Sequence, residues 1–128
     1  VNVEEGKTIV NNKRLGIKQI ADSLFRLGPS EVVITDGRNG SYGYNGTSLF
    51  HCPMFPGDRI ESTGAGDSFA AAYIGAKMNG ESMQDALRWG SVNSASVVLK
   101  IGPTKGLLTQ KQILGRLKEN IEFKTSIV

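Results

Sequence analysis

A single acidic side chain, Asp67, follows the three small residues Gly64-Ala65-Gly66, and a nearly uncharged segment comes after it. At the start of a helix the first backbone N–H groups have no intrahelical acceptor, and small residues let an anion approach them closely. Aligned peptide dipoles add about half a positive charge there. The pattern indicates either an anion hole beside a preorganised Asp67 or an acidic residue that merely complements the dipole, and spacing alone leaves both open.

A second cluster, residues 35–40, comes directly after a short β-branched run. Gly37 and Gly40 tolerate positive φ and would let phosphates approach backbone amides, while Thr35 would supply a hydroxyl. The alternative is an ordinary lead-in to a β-hairpin, because Asp-Gly and Asn-Gly pairs are frequent in hairpins. Asn93, a polar residue in an apolar stretch, is likewise either a ligand contact or a hydrogen-bonded core amide.

The elements that would position these residues alternate between strand and helix. Residues 1–6 have the pattern of a strand end running into a turn, and residues 17–27 carry apolar side chains at helical spacing up to Gly28-Pro29. Residues 31–35 form a continuous β-branched run, which is typical of a strand covered on both faces, as in a parallel sheet. This order predicts an α/β fold with helices on both faces of a sheet.

The second half of the chain predicts a hairpin followed by three helices. Strands at 41–44 and 48–51 would flank Asn45-Gly46, and the next helix would run from the glycines before Asp67 to about Gly80, buried on all sides. Ser82 would open another helix. Thr109 and Gln112 form a capping box before a stripe of three apolar residues, Ile113, Leu114 and Leu117.

Composition narrows the class of protein. With 128 residues and 39% hydrophobic residues the chain predicts one domain, and its 15 basic residues are mixed with 12 acidic ones, so nucleic acid is not an expected partner. One cysteine, Cys52, indicates a reducing compartment, and with neither a signal peptide nor a membrane span we expect a cytoplasmic protein. His51 and Cys52 are adjacent in a strand, point to opposite faces, and are assigned no chemistry.

Four motifs occur in the order found in one family: Asn2-Val3-Glu4-Glu5, Thr35 to Gly40, Ser62 to Phe69, and Gly90 to Asn93 together with Gly102 to Gly106. They resemble the ribokinase-like carbohydrate kinases, also called the phosphofructokinase B family. The resemblance covers essentially the whole chain. It implies the C-terminal portion of a three-layer α/β/α sandwich, with a β-hairpin after the Thr-x-Gly-x-x-Gly strand.

The resemblance also implies an activity, which is phosphorylation of a hydroxyl on a small carbohydrate by ATP. Asp67 would be the general base, and the amides of Gly64, Ala65 and Gly66 would form the anion hole. A nucleoside kinase and a non-catalytic nucleotide-binding module are the alternatives. The remaining roles implied for this sequence are Thr35, Gly37 and Gly40 on the phosphates, Asn93 near the adenine, Asn2 and Glu5 on Mg²⁺ through water, and Glu61 with Thr63 on K⁺.

Two departures from the family qualify this expectation. The family has Asp where this chain has Glu61, which is one methylene longer, so K⁺ dependence is left open. Family members are also much longer, and the sugar-binding half and its β-rich lid are expected to be absent from residues 1–128. A fragment of this kind is expected to be inactive alone and to self-associate as a homo-oligomer through uncovered apolar surface.

Overall fold

The computed structural model describes residues 1–57, 64–98 and 108–128. Within these ranges the chain forms five α-helices and four short β-strands. In chain order they are α1 (Val3–Ile9), α2 (Ile17–Phe25), β1 (Val32–Thr35), β2 (Ser41–Tyr44), β3 (Leu49–Cys52), α3 (Ala65–Met78), α4 (Met83–Val98), α5 (Gln110–Glu119) and β4 (Ser126–Ile127). A 3₁₀ turn at Gly37–Asn39 joins β1 to β2. None of the described helices is both long and apolar enough to cross a membrane.

The sheet has the order β1-β2-β3-β4, and each neighbouring pair is antiparallel. The predicted hairpin is confirmed, since β2 and β3 pair around Asn45-Gly46 and Gly46 has a φ of 90°. The expectation of parallel pairing is wrong for these strands. For β1, β2 and β3 the reason is that short connections between consecutive strands force antiparallel neighbours. A parallel contact occurs only at the other edge of β1 among the described residues, where Asn2 bridges Thr35.

Helices cover both faces of this sheet, which confirms the three-layer α/β/α arrangement. On one face α2 packs through Ile20, Ala21 and Leu24 against Val32, Ile34, Tyr44 and Leu49. On the other face α3, α4 and α5 pack against Val33, Phe50 and Cys52. Alternate side chains of a strand point to opposite faces, so Val32 and Val33 belong to different core clusters. Trp89 lies in the second cluster and is 4% exposed.

The N-terminal segment corrects one expectation. Asn2 ends a short extended stretch, as predicted, but a helix follows instead of a turn. The Asn2 side chain accepts from the N–H of Glu5 at 2.8 Å, and the Glu5 carboxylate accepts from the N–H of Asn2 at 2.8 Å. This reciprocal capping box starts α1. The same Asn-x-x-Glu spacing in the sequence was the signal for a helix start.

Two helices are less buried than predicted. α3 is not covered on all sides, because Ala70, Ile74 and Met78 form an exposed strip along it. Ile74 is 57% and Met78 is 82% exposed. In α5 the capping box of Thr109 is confirmed, and Ile113 and Leu117 are buried. Leu114, which follows Ile113 directly in the sequence, instead faces the outer side of α5 and is exposed.

Candidate functional site

The N-terminus of α3 presents unpaired backbone amides. Gly64 is the N-cap with φ 83°, a left-handed conformation that favours glycine. The first amide with an acceptor inside the helix is that of Ser68, which donates to the Gly64 carbonyl at 2.9 Å. The N–H groups of Ala65 and Gly66 have no acceptor among the described residues, and Gly66 is exposed. The helix end therefore offers two or more donors to an anion.

Asp67 lies in the first turn of α3 with its side chain exposed. It forms no ion pair or hydrogen bond with the part of the chain described, and it borders a cavity. Ser68, the next residue, turns inward and donates its hydroxyl to the Ala65 carbonyl at 2.9 Å. This bond holds the first turn while Asp67 faces outward.

The turn after β1 is closed by its own hydrogen bonds. The N–H of Asp36 donates to the Gly40 carbonyl at 2.8 Å, that of Asn39 to the Asp36 carbonyl at 2.9 Å, and that of Gly40 to the Gly37 carbonyl at 3.2 Å. Gly37 and Gly40 have φ values of 53° and 93°. A Cβ at Gly40 would come within 2.2 Å of the Cys52 carbonyl oxygen, so a side chain cannot be accommodated there.

Two cavities meet at the N-terminus of α3. The first, of about 260 Å³, is bordered by Gly37, Gly40, Ala65 and the α4 serines Ser91 and Ser94. The second, of about 330 Å³, is bordered by Glu5, Asp67, Ala70 and Ile74. Four residues line both cavities, namely Asn2, Thr35, Gly66 and Phe69. These four residues form a partition between the two cavities. Asp67 lies on one side of the partition, and the glycine turn, Gly37 to Gly40, lies on the other.

Asn93 lies beside the first cavity and is engaged by the protein. Its amide nitrogen donates to the Ser68 carbonyl at 2.8 Å, and its amide oxygen accepts from the N–H of Leu108 at 2.9 Å. With 4% exposure it ties α4 to α3. Its predicted contact with adenine stays a prediction, and Asn93 does not border the cavity among the described residues.

Sequence reasoning missed the serines that do border the first cavity. Ser91, Ser94 and Ala95 are spaced i, i+3 and i+4, so they share one face of α4. That spacing of small and polar residues in an apolar helix was the available signal. Ser41 also borders the cavity, and it is 2% exposed with a hydroxyl that has no hydrogen-bond partner.

Asn2 and Glu5 lie next to the partition, but their side chains already cap α1. Each carboxylate or amide oxygen keeps a second lone pair, so contact with a water bound to Mg²⁺ is compatible with capping. The described ranges contain no cluster of three or more His, Cys, Asp or Glu side chains able to hold a metal directly. Glu61, Thr63 and the Gly102 to Gly106 motif lie outside the described residues.

Contacts on the buried side fix α3 in place. A Cβ at Gly90 would lie 2.8 Å from the ring of Phe69, so α3 and α4 approach closely only because Gly90 has no side chain.

Towards the C-terminal end of α3 the Tyr73 hydroxyl donates to Glu31 at 2.8 Å, and Lys77 pairs with Glu31 at 3.0 Å. Burial, followed by the hydrogen bond and the charge of Glu31, raises the pKa of Tyr73 far above its ordinary value. Burial raises the pKa of the Cys52 thiol.

This architecture is that of the ribokinase fold. A ribokinase of Thermotoga maritima superposes with a TM-score of 0.82 at 24% identity, over 91% of this chain and 40% of that one. An Arabidopsis thaliana ribokinase in complex with ribose and ATP gives a TM-score of 0.81 at 25% identity, over 91% of this chain and 39% of that one.

The sequence comparisons place the chain within one family. The profile of the pfkB family of carbohydrate kinases matches residues 1–110, and the chain belongs to this family. A 5-dehydro-2-deoxygluconokinase of Shouchella clausii is 32% identical over 105 residues, which are 81% of this chain and 32% of the relative. The chain therefore spans about a third of the length of the curated relatives that it matches.

Proposed function

We propose that residues 1–128 are the nucleotide-binding and phosphoryl-transfer part of an ATP-dependent kinase that phosphorylates a hydroxyl of a small carbohydrate. The observation that carries this proposal is the meeting of two cavities at the N-terminus of α3. Gly66 lies at the junction, Ala65 borders the first cavity and Asp67 borders the second. The amides of Ala65 and Gly66 have no acceptor among the described residues. A donor and an acceptor that occupy separate cavities would thus meet beside an anion hole and a base.

In the proposed step, the acceptor alcohol lies on the side of Asp67. Its hydroxyl proton passes to the Asp67 carboxylate while the alcohol oxygen forms a bond to the γ-phosphorus of ATP. The bond between that phosphorus and the bridging oxygen breaks, and ADP leaves with the electron pair. Negative charge on the transferring phosphoryl is stabilised by the amides of Ala65 and Gly66 and by the positive end of α3. Positioning and charge stabilisation supply most of the rate, and proton transfer adds about 10²–10⁴-fold.

The residues that line the first cavity suit ATP chemically. The Thr35 hydroxyl and the backbone of Gly37 would contact phosphates, while Phe55, Phe69 and Ala95 give apolar walls for the base. Gly37 has a positive φ and no atom within 4 Å of an added Cβ, so it leaves its side of the turn open to close approach. Mg²⁺ bound to the phosphates would neutralise their charge, and Asn2 and Glu5 are placed to hold its water ligands.

Residues 1–128 define the site of the acceptor less completely than the site of ATP. The second cavity is open along the exposed strip of α3, and this chain covers only part of its relatives. The relatives are named for different acceptors, ribose for some and 5-dehydro-2-deoxygluconate for others. We propose that residues outside 1–128 complete the sugar site, so the isolated chain binds ATP and transfers phosphate slowly or not at all.

The test uses two glycines of the same helix. At Gly66 and at Gly75 an added Cβ meets no atom within 4 Å, so alanine at either position is compatible with the fold. Gly66→Ala would place a methyl group where phosphate oxygens approach, and we expect at least a tenfold weaker Kd for Mg²⁺-ATP by calorimetry. Gly75→Ala, two turns further along α3, should bind like the original chain. Equal ATP affinity in both variants would contradict the proposed anion hole.

A further inference from the structure

The single histidine of the chain, His51, contacts the glycine turn from the far side of the hairpin. Its Nε2 lies 2.7 Å from the carbonyl oxygen of Asn39. A carbonyl only accepts, so Nε2 must carry a proton, and the neutral ring is then the Nε2–H tautomer. The ring of Tyr42, directly opposite on β2, lies with its centroid 4.8 Å from that of His51 and supports the ring from the side.

The direction of this hydrogen bond follows from strand geometry. His51 pairs with Tyr42, and Tyr42 pairs with Ile34, so these three side chains share the sheet face that α2 covers. Ser41 and Cys52 belong to the opposite face, and Ser41 borders the first cavity. The bond to His51 therefore draws the Asn39 carbonyl away from the first cavity.

The peptide group between Asn39 and Gly40 is held at both ends. Its N–H donates to the Gly37 carbonyl at 3.2 Å, and its carbonyl accepts from His51. Other hydrogen bonds of the turn join its own residues to one another. For example, the side-chain amide of Asn39 donates to the Asp36 carboxylate at 3.2 Å. His51 alone among the described residues ties a carbonyl of the 3₁₀ turn to a different strand.

We infer that His51 is a positioning residue for nucleotide phosphates, acting through the Asn39 carbonyl, an inference that rests on the proposed function. A carbonyl oxygen turned toward the first cavity would repel phosphate oxygens, whereas the same carbonyl held by His51 cannot turn that way. Loss of this hydrogen bond is expected to weaken ATP binding about threefold to tenfold, with adenosine affected little because it carries no phosphate.

The experiment measures Kd for Mg²⁺-ATP and for adenosine by NMR titration of the 128-residue chain and two variants. His51→Phe keeps a ring against Tyr42 but has no donor, and we expect threefold to tenfold weaker ATP binding with an unchanged adenosine Kd. His51→Gln offers an N–H donor at similar reach and should recover most of the ATP affinity. Because His51 is the single histidine, one imidazole ¹⁵N spectrum of the original chain reports its tautomer, expected as Nε2–H.

The outcomes separate this inference from the proposed function. An Nδ1–H tautomer, or equal losses for ATP and adenosine in His51→Phe, would overturn the positioning role while leaving nucleotide binding in place. Unchanged ATP affinity in His51→Phe would overturn it as well. If the original chain binds adenosine but shows no added affinity for ATP, the phosphate site itself is absent, and both proposals fall.

Discussion

At the scale of single residues, chemistry could be inferred from the sequence wherever a short motif fixes its own geometry. Gly64 to Asp67 form a helix start with free amides and an exposed carboxylate, as their order predicts. Asn93 was harder, because a buried amide in an apolar helix has the same sequence signature whether it contacts a ligand or a neighbouring helix. The contact of His51 with the Asn39 carbonyl could not be predicted, since it depends on the register of a hairpin that separates the two residues by twelve positions.

Asp67 carries the sharpest prediction at this scale. In a form of the protein that turns over a sugar, Asp67→Asn should lower kcat by about 10²–10⁴-fold, because the amide cannot accept the hydroxyl proton. ATP affinity should stay within about threefold, since Asp67 borders only the second cavity. Coupled ADP-release kinetics and ATP titration measure the two effects. A matching loss of ATP binding would instead assign Asp67 to the nucleotide or the fold.

At the scale of elements, periodicity and capping signals predicted most helices and the hairpin. The hairpin followed from Asn45-Gly46, and α5 from its capping box at Thr109. The helix α1 was missed because Asn2 and Glu5 were interpreted either as contacts to Mg²⁺ and phosphates or as the start of a turn, and their capping spacing was not used. The exposed strip of α3 could not be predicted, because alanine, isoleucine and methionine are more often buried than exposed, so an uncharged helix is expected to be covered.

The close approach of α3 and α4 depends on Gly90. Gly90→Ala would push a methyl group against Phe69, and we expect a loss of about 1–3 kcal/mol in the free energy of unfolding. Gly115→Ala is the matched control, because Gly115 lies in α5 with no atom within 4 Å of an added Cβ. It should gain about 0.4–1 kcal/mol. Urea unfolding measures both, and a Gly90→Ala variant as stable as the original chain would contradict this packing.

The contact between Tyr73 and Glu31 predicts a pH dependence. The pKa of Tyr73 is raised in the folded state, so its contribution to stability is fully present below the unfolded pKa of about 10 and is lost as pH rises above it. Tyr73→Phe removes this titration. Its Tm should fall less steeply than that of the original chain above about pH 10. Parallel slopes in thermal unfolding from pH 8 to 11 would show that Tyr73 titrates normally.

At the scale of the whole molecule, both the fold class and the presence of uncovered apolar surface were predicted, but the residues that form this surface were not. Among the described residues, β1 has a neighbouring strand on one side only along most of its length, with Val1 and Asn2 at the other edge. The exposed strip of α3 borders the same region through the second cavity. An open strand edge beside apolar side chains favours association between copies.

Self-association should therefore depend on α3. Ile74→Lys together with Met78→Lys is expected to shift the chain toward monomer in sedimentation velocity, since these side chains are 57% and 82% exposed. Leu27→Lys is the control, because Leu27 is 70% exposed just after α2, on the other face of the sheet. An equal shift toward monomer in Leu27→Lys would indicate nonspecific hydrophobic contact. An original chain that is already monomeric would refute the prediction.

The partition formed by Asn2, Thr35, Gly66 and Phe69 has an evolutionary consequence. Because the glycine turn and Asp67 stand on opposite sides of it, the proposed function implies that mutations on the side of Asp67 can change the alcohol that is accepted without disturbing recognition of the phosphate donor. New substrate preferences can then arise by changes on one side alone. This separation gives a physical reason why one scaffold serves enzymes named for such different alcohols.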